Sequence, residues 1–156
     1  MSPPSHELDR VRAATAPETL AEIDRAINQS VRYFATQSRD AISVRIGELE
    51  AEWDVERWLQ THGSAFALAG LVLGVVRHRR WLLLTGGALG FLFQHATQGW
   101  CLPLTLLRNM GVRTRSEIER EKYALKILRG DFENISARAP GNQVVRAHDA
   151  LRAVTV

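Results

Sequence analysis

Two stretches without a formal charge lie close together in the middle of the chain and restrict the folds it can adopt. Residues 59–76 form the first, eighteen residues long, and residues 81–107 form the second, twenty-seven residues long. Only residues 77–80 separate them. A helix needs about 20 predominantly apolar residues to cross the hydrocarbon core of a membrane. The second stretch exceeds this length and the first is near the lower limit, so two membrane spans are predicted.

A buried helical hairpin inside a soluble bundle is the competing interpretation. Two pairs of glycines favour the membrane: Gly70 with Gly74 in the first stretch, and Gly86 with Gly90 in the second. In water each glycine within a helix costs about 1 kcal/mol relative to alanine. In lipid, small residues four positions apart let two helices approach closely. We therefore predict that these glycines mediate packing in a transmembrane hairpin, with spans of about 59–76 and 81–101.

Three tryptophans are placed as an interfacial belt requires. In an antiparallel hairpin Trp58 and Trp100 lie at one membrane–water interface, and Trp81 lies at the other. Tryptophan is enriched at this depth because its ring is apolar while its indole N–H is polar. The spacing therefore supports two spans of opposite direction.

The basic residues that flank the spans predict the orientation. Nine Arg and Lys residues lie within about twenty residues of the hairpin on its outer sides, against three in the loop 77–80. Basic residues are retained on the cytoplasmic side of a membrane, so both termini are predicted to be cytoplasmic. The N-terminus also lacks the basic and then apolar order of a secretory signal.

The segments outside the hairpin have the periodicity of amphipathic helices. Apolar residues recur at steps of three and four through residues 15–58, and Thr114 with Glu117 has the spacing of a helix capping box. The expected fold is therefore all-α, a two-helix transmembrane hairpin flanked by cytoplasmic amphipathic helices. Its predicted segments are a flexible arm over 1–14, amphipathic helices over 15–58, the hairpin over 59–110, a helix over 111–132 and a tail over 133–156.

A cluster of polar side chains interrupts the apolar sequence near one interface. Gln94, Gln98 and Cys101 share one face of a helix, and antiparallel pairing brings His62 to the same level. Hydrogen bonds between helices are the simplest role for such residues in a membrane. A His/His/Cys metal site is chemically possible but lacks the tight ligand spacing of known sites, so no metal or cofactor is predicted. The whole cluster is His62, Gln94, His95, Thr97, Gln98 and Cys101.

Composition and motifs argue against several classes of function. The basic residues are not arranged in a stripe with aromatics, so nucleic-acid binding is not predicted. Cys101 is the only cysteine, which excludes an internal disulfide and leaves it as the one candidate redox or sulfur-carrying thiol. A nearby cation such as Arg108 would favour its thiolate, and apolar surroundings would disfavour it. No phosphate loop, catalytic triad or paired catalytic carboxylates stand out, so an enzymatic activity is not expected.

The stretch around Cys101, GFLFQHATQGWCLPLTLLRNMGVRTR, resembles the YgaP-like transmembrane domain family, a small two-helix unit of the bacterial inner membrane. The resemblance covers residues 60–116. The family commonly has its cysteine and proline adjacent, whereas here Leu102 separates Cys101 from Pro103. The resemblance implies a multi-pass protein of the inner membrane. Some relatives carry a rhodanese domain that moves sulfane sulfur. This chain has no match to the active-site loop of that domain. The residues that match are Gln94, Gly99, Trp100, Cys101, Pro103 and Gly111, with Thr114 and Arg115 fitting loosely.

Three hypotheses for function follow from these observations. The first is a non-enzymatic, homo-oligomeric membrane anchor whose cytoplasmic helices bind a protein partner. The second gives Cys101 a role in handling sulfide, thiocyanate or persulfide at the membrane. The third is a soluble helical bundle, in which the apolar stretches are covered by protein rather than by lipid.

Overall fold

The fold was determined as a computed structural model, which describes residues 10–99 and 101–133. All regular secondary structure in these residues is helical and none of them forms a strand, which confirms the predicted all-α class. The helices are α1 (Arg10–Ala13), α2 (Pro17–Phe34), α3 (Arg39–Ala51), α4 (Val55–Val76), a short 3₁₀ turn (Arg79–Trp81), α5 (Leu82–Gln98), α6 (Leu102–Asn109) and α7 (Arg115–Arg129). The chain forms two compact units, one from residues up to 27 with 52–118, the other from 28–51 with the residues from 119 onward.

The second unit is organised around a buried carboxylate. Glu121, which is completely buried, accepts hydrogen bonds from the Ser30 hydroxyl at 2.5 Å and from Arg45 Nη2 at 3.0 Å. Apolar side chains of α3 are buried in this unit, because Ile42, Ile46 and Leu49 recur at helical spacing. An internal charge is tolerated there because it is paired and hydrogen-bonded.

The first unit has an apolar core that includes the N-terminal helix. Val11, Val55, Leu59, Cys101 and Leu104 pack together in it. Residues 10–13 are therefore ordered as α1, whereas the sequence predicted a flexible arm over 1–14. The difference arises because Val11, a single apolar residue between Arg10 and Arg12, is 5% exposed and contributes to the core. The remainder of the predicted arm (1–9) and most of the predicted tail (134–156) lie outside the described residues.

Within the first unit, α4 and α5 contact each other in an antiparallel sense. A Cβ atom added at Gly63 of α4 would meet the Leu92 side chain of α5, and one added at Gly74 would meet Leu82. One helical stretch, Arg39–Val76, which comprises α3 and α4, is long and apolar enough to cross a membrane by length and composition. Only 17% of its apolar window is buried inside the protein. Its uncharged part belongs to α4.

Helix α5 ends at Gln98, three residues before the predicted end of the second span. Gly99 adopts a left-handed conformation (φ +69°), and its N–H donates to the His95 carbonyl oxygen at 2.8 Å. This is the usual glycine termination of a helix. Pro103 lies in the first turn of α6, where its missing N–H costs nothing.

Candidate functional site

The end of α5 and the start of α6 form a tight connection around Cys101. Gly99 has no space for a side chain, because an added Cβ would overlap the side chain of Arg10. Cys101 then adopts an extended backbone conformation and occupies the N-cap position of α6. The connection therefore turns the chain so that the Cys101 side chain is buried, with an exposure of 1%.

A cavity of about 290 Å³ lies between α4, α5 and α6 beside this connection. Three members of the predicted polar cluster, His62, His95 and Cys101, line it together. The rest of its lining is apolar or aromatic and includes Trp58 and Phe66. None of the described residues that line it is Asp, Glu, Lys or Arg. The cavity is therefore partly open to the surface, and its apolar lining includes two imidazole side chains and one thiol side chain.

The two histidines of the cavity differ in their hydrogen bonding. His62 Nδ1 donates to the Trp58 carbonyl oxygen at 2.9 Å, and its ring stacks on the Trp58 ring with centroids 4.6 Å apart. His95 Nδ1 is buried and has no hydrogen-bond partner among the described residues. Leaving a buried polar atom without a partner costs about 1–3 kcal/mol. His95 therefore carries an unsatisfied polar atom that is enclosed by protein and not accessible from the cavity.

The other three members of the polar cluster do not line this cavity. Thr97 and Gln98 are exposed, and Gln94 is half-buried. The Thr97 hydroxyl donates to the Phe93 carbonyl oxygen of its own helix at 2.9 Å. Within the described residues no group of three His, Cys, Asp or Glu side chains could hold a metal ion. The structure thus brings together His62, His95 and Cys101 without giving them the geometry of a metal site.

Cys101 has the surroundings of a structural thiol. It is packed with Val11, Val55 and Leu59 in the apolar core. Arg108, which the sequence suggested as a cation near the thiol, instead directs its guanidinium to Glu117. Reactive thiols are accessible and lie in electropositive surroundings, whereas buried apolar ones are inert. This environment supports a packing role for the side chain.

A buried ion pair fixes α6 to the start of α7. Arg108 Nη1 donates to Glu117 Oε2 at 2.7 Å and its Nη2 donates to Oε1 at 2.8 Å. The side chains of both residues are no more than 2% exposed. Arg108 Nε also donates to the Thr15 hydroxyl at 3.0 Å, and Arg12 Nη1 donates to Glu117 Oε1 at 2.6 Å. The network therefore joins α1, α6 and α7 in the first unit.

Sequence reasoning identified only part of this network. The spacing of Thr114 and Glu117 predicted a capping box, and the structure has both of its bonds: Thr114 N–H donates to Glu117 Oε2 at 2.8 Å, and Glu117 N–H donates to Thr114 Oγ1 at 3.3 Å. The role of Arg108 was not predicted. The available signal was its place among apolar residues, directly after the uncharged residues 81–107, because a charge in apolar surroundings needs a buried partner.

The pKa of Glu117 is lowered from its ordinary value of 4.5. Burial is the largest single influence and raises this pKa, because it disfavours the charged form. The hydrogen bonds from Arg108 and from the Thr114 N–H, together with the charges of Arg108 and Arg12, outweigh burial. Glu117 is therefore ionised in the folded protein at neutral pH.

The predicted packing glycines lie in two different environments. A Cβ added at Gly70 would lie 2.7 Å from Thr85 Oγ1 and 2.8 Å from the Thr85 backbone nitrogen, so this glycine permits close contact with α5. Gly74 likewise faces Leu82. Among the residues that the structure describes, an added Cβ at Gly86 or Gly90 would meet nothing within 4 Å. The first pair packs inside the chain, and the second pair lies on an uncovered side of α5.

The tryptophans of the predicted belt lie at different ends of α4. Trp58 is in the first turn of α4 and is half-buried, whereas Trp81 follows the end of α4, in the 3₁₀ turn, and is 43% exposed. Trp100 lies outside the described residues. Trp58 and Trp81 are therefore separated by nearly the length of the helix, as a belt at two interfaces requires.

The chain was compared with protein families, curated proteins and solved structures. No family model, no curated protein and no solved structure matches it. The resemblance to the YgaP-like transmembrane domain therefore stays a prediction, carried by the residues around Cys101.

Proposed function

We propose that the protein is a membrane-embedded, non-enzymatic helical module, in which α4 and α5 cross the bilayer as a hairpin. The observation that carries this proposal is the exposure of the apolar side chains on both helices. Val76 is 79% exposed on α4, Leu83 is 80% exposed on α5, and Phe93 is 72% exposed on α5. Contiguous apolar surface of this kind is rare on soluble monomers and is normal where lipid is the solvent.

A soluble bundle is the less favoured alternative for the same reason. The apolar helix of a soluble protein is mostly buried in its core, whereas the apolar window of Arg39–Val76 is only 17% buried. No residue of α5 is buried. A soluble bundle would therefore need other chains to cover both helices.

Association between copies is the second part of the proposal. Gly86 and Gly90 lie on an uncovered side of α5 and are one helical turn apart. Small residues at this spacing let helix backbones of two chains approach closely in a membrane. A homo-oligomer anchored by α5 would present α2, four of whose five charged residues are exposed, to a protein partner. Membrane lipid is then the other partner of the chain.

The location and family complete the proposal. The resemblance around Cys101 supports a YgaP-like unit of the bacterial inner membrane, and the excess of Arg and Lys outside the hairpin supports cytoplasmic termini. A sulfur-handling role would require Cys101 to meet a small reactant. The burial of Cys101 in the apolar core gives that alternative no support, so it is not part of the proposal.

Membrane fractionation tests the proposal directly. After cell lysis, the full chain is expected in the membrane pellet, and it is expected to stay there when the membranes are washed at alkaline pH with sodium carbonate. Helices held by lipid resist this wash, whereas peripheral proteins held by charge are released. A chain with Leu71→Glu and Val75→Glu on exposed positions of α4 is the control, and it should leave the pellet. Recovery of the native chain in the supernatant of the first spin would contradict the proposal.

A further inference from the structure

The connection between α4 and α5, residues 77–81, is called the tip here, and it carries a run of basic side chains. Arg77, Arg79 and Arg80 are exposed, and none of them forms an ion pair or a side-chain hydrogen bond with the described residues. No Asp or Glu occurs between residues 57 and 116. Five other arginines do have carboxylate partners: Arg12, Arg45, Arg108, Arg113 and Arg129. The tip therefore holds three positive charges without a counter-charge among the described residues.

Backbone hydrogen bonds hold the tip in one short turn. The N–H groups of Arg77 and His78 both donate to the Leu73 carbonyl oxygen, at 2.9 Å and 3.0 Å. The Trp81 N–H donates to the His78 carbonyl oxygen at 3.0 Å, and the other two arginines belong to the 3₁₀ turn that this bond closes. The three guanidinium groups are thus attached to four consecutive residues of a tight turn. Like charges this close repel each other unless an anion lies among them.

The helix dipoles compensate only one of these charges. Arg77 caps the C-terminal end of α4, where the partial negative charge of the last carbonyl groups stabilises a cation. Arg79 and Arg80 instead precede the N-terminal end of α5, which is partially positive and has no acidic residue in its first turn. Cations are disfavoured at that end of a helix. An anion bound beside these two arginines would remove this cost.

A pocket of about 510 Å³ at the tip indicates which anion fits. Its lining combines basic side chains with apolar ones, and a phospholipid offers the same combination of a phosphate next to acyl chains. A guanidinium group binds phosphate through two parallel N–H···O bonds. A free phosphate ion could use the basic part of the lining and would leave the apolar part uncovered. The pocket is lined by Gly74, Val75, Arg77, His78, Arg79 and Leu82.

We propose that the tip binds the headgroup phosphate of an anionic phospholipid, received by Arg77 and Arg79 in the pocket while Arg80 adds to the positive potential. Val76 and Leu83, which are 79% and 80% exposed next to the tip, contact the acyl chains. A zwitterionic lipid gains less, because its headgroup brings a cation of its own. The inference rests on the proposed membrane hairpin, but not on its orientation, and it names the class of lipid that the hairpin selects.

Competition for tritiated phosphatidylglycerol tests the site, with the full chain captured on scintillation beads in non-ionic detergent. The competitors are unlabelled phosphatidylglycerol, phosphatidylcholine with the same acyl chains, and inorganic phosphate. Unlabelled phosphatidylglycerol should compete at about a hundredfold lower concentration than phosphatidylcholine, because each arginine near anionic lipid contributes about fivefold. Inorganic phosphate should not compete over the same range. Equal competition by the two lipids, or by phosphate and phosphatidylglycerol, would overturn the proposal.

Two triple variants separate the tip from the net charge of the chain. Replacing Arg77, Arg79 and Arg80 together by Gln should abolish the preference for phosphatidylglycerol over phosphatidylcholine, and Arg79→Gln alone should lower it about fivefold. The matched control replaces three exposed arginines of α2 and α3 by Gln, which removes the same charge from helices that also carry acidic residues. Its preference should equal that of the native chain. The control positions are Arg25, Arg32 and Arg39.

The outcomes distinguish the lipid site from the membrane hairpin. The tip variant should remain in the membrane pellet after the carbonate wash, because its apolar spans are unchanged. A native chain that pellets with membranes but binds both lipids equally would overturn this inference alone, whereas a native chain in the supernatant would contradict the hairpin on which it rests. An equal loss of preference in the control would show that net charge decides, and would also overturn the inference. Circular dichroism checks the folding of each variant, and the comparison of lipids on the native chain does not depend on them.

Discussion

Arg108 and Glu117 are the most deeply buried pair of opposite charges in the first unit. Two charges removed from water are stable only when their remaining hydrogen-bonding capacity is used. Arg108 meets this condition through Thr15 and the Val112 carbonyl oxygen, and Glu117 meets it through Arg12 and the Thr114 N–H. The pair therefore specifies how α1, α6 and α7 meet, because any other arrangement would leave a charge unpaired.

Replacing Glu117 tests the contribution of this pair. Glu117→Gln leaves Arg108 buried opposite a neutral amide, so the free energy of unfolding at pH 7 should fall by about 3 kcal/mol or more. The measurement is urea unfolding followed by circular dichroism in micelles. The control is Glu48→Gln, because Glu48 forms an exposed pair with Arg45 on the same helix, for which a loss of at most about 1 kcal/mol is expected.

The same variant reveals the pH dependence of the pair. Because the folded-state pKa of Glu117 is lowered, its stabilisation is fully present above the ordinary pKa of 4.5 and is lost as pH falls through the folded-state pKa. The difference in unfolding free energy between native and Glu117→Gln chains should therefore shrink below pH 4.5. A difference that stays constant down to pH 3, or a small difference at pH 7, would contradict the role given to this carboxylate.

Helices α4 and α5 approach each other closely because one of the two glycine pairs faces inward. Gly70 lies against the backbone nitrogen of Thr85, and the Thr85 hydroxyl donates to the Ala67 carbonyl oxygen at 3.0 Å. The interhelical hydrogen bond and the missing side chain occur at the same level. Such a bond between membrane helices contributes about 0.6–2 kcal/mol, and it depends on the short distance between the backbones.

Gly70→Leu should force α4 and α5 apart, since a backbone atom cannot yield as a flexible side chain can. We expect the unfolding free energy in micelles to fall by about 2 kcal/mol. Gly86→Leu places the same side chain on α5, where an added Cβ meets no described atom within 4 Å. This variant should leave the unfolding free energy unchanged within about 0.5 kcal/mol. Equal losses for the two variants would contradict the role given to the close contact at Gly70, because leucine favours a helix more than glycine does at both positions.

The helices that sequence reasoning located best are those with long uncharged or strictly periodic sequences. The first span was predicted to end at Val76, where α4 ends, and the buried residues Ile42 and Ile46 of α3 have helical spacing. The short α1 and the end of α5 were missed. Both depend on contacts distant in sequence: Val11 is ordered by packing with Cys101, and Gly99 is close to Arg10. Local pattern does not encode such contacts.

The candidate site was likewise predicted from the sequence only in part. Antiparallel pairing of two apolar helices was enough to predict that His62, His95 and Cys101 lie near each other, and they line one cavity. The cavity itself has no signature in the sequence, because it results from the volumes of side chains on three helices. The separation of Thr97 and Gln98 from the other members was also beyond prediction, since one residue of rotation decides which side chains face inward.

At the scale of the whole molecule, the uncovered side of α5 is the surface with the clearest consequence. Leu83, Gly86, Gly90 and Phe93 recur at steps of three and four, so they share one face of the helix. The two large residues of this face, Leu83 and Phe93, are 80% and 72% exposed, and a Cβ added at either glycine would meet no atom of the described residues within 4 Å. Such a face combines apolar ridges with a flat centre, which is the shape that a second copy can pack against.

Cysteine crosslinking in native membranes tests whether a second copy packs there. Gly90→Cys should form disulfide-linked dimers on mild oxidation, because backbones that approach at small residues bring the two thiols within bonding distance. Val75→Cys, which is 78% exposed on α4, is the matched control and should stay monomeric. Cys101 can be retained in these variants, because its side chain is buried and cannot form a disulfide with a second copy. Adding Gly86→Leu should reduce the dimers severalfold by separating the helices, whereas equal crosslinking at positions 75 and 90 would indicate random collision and contradict the interface.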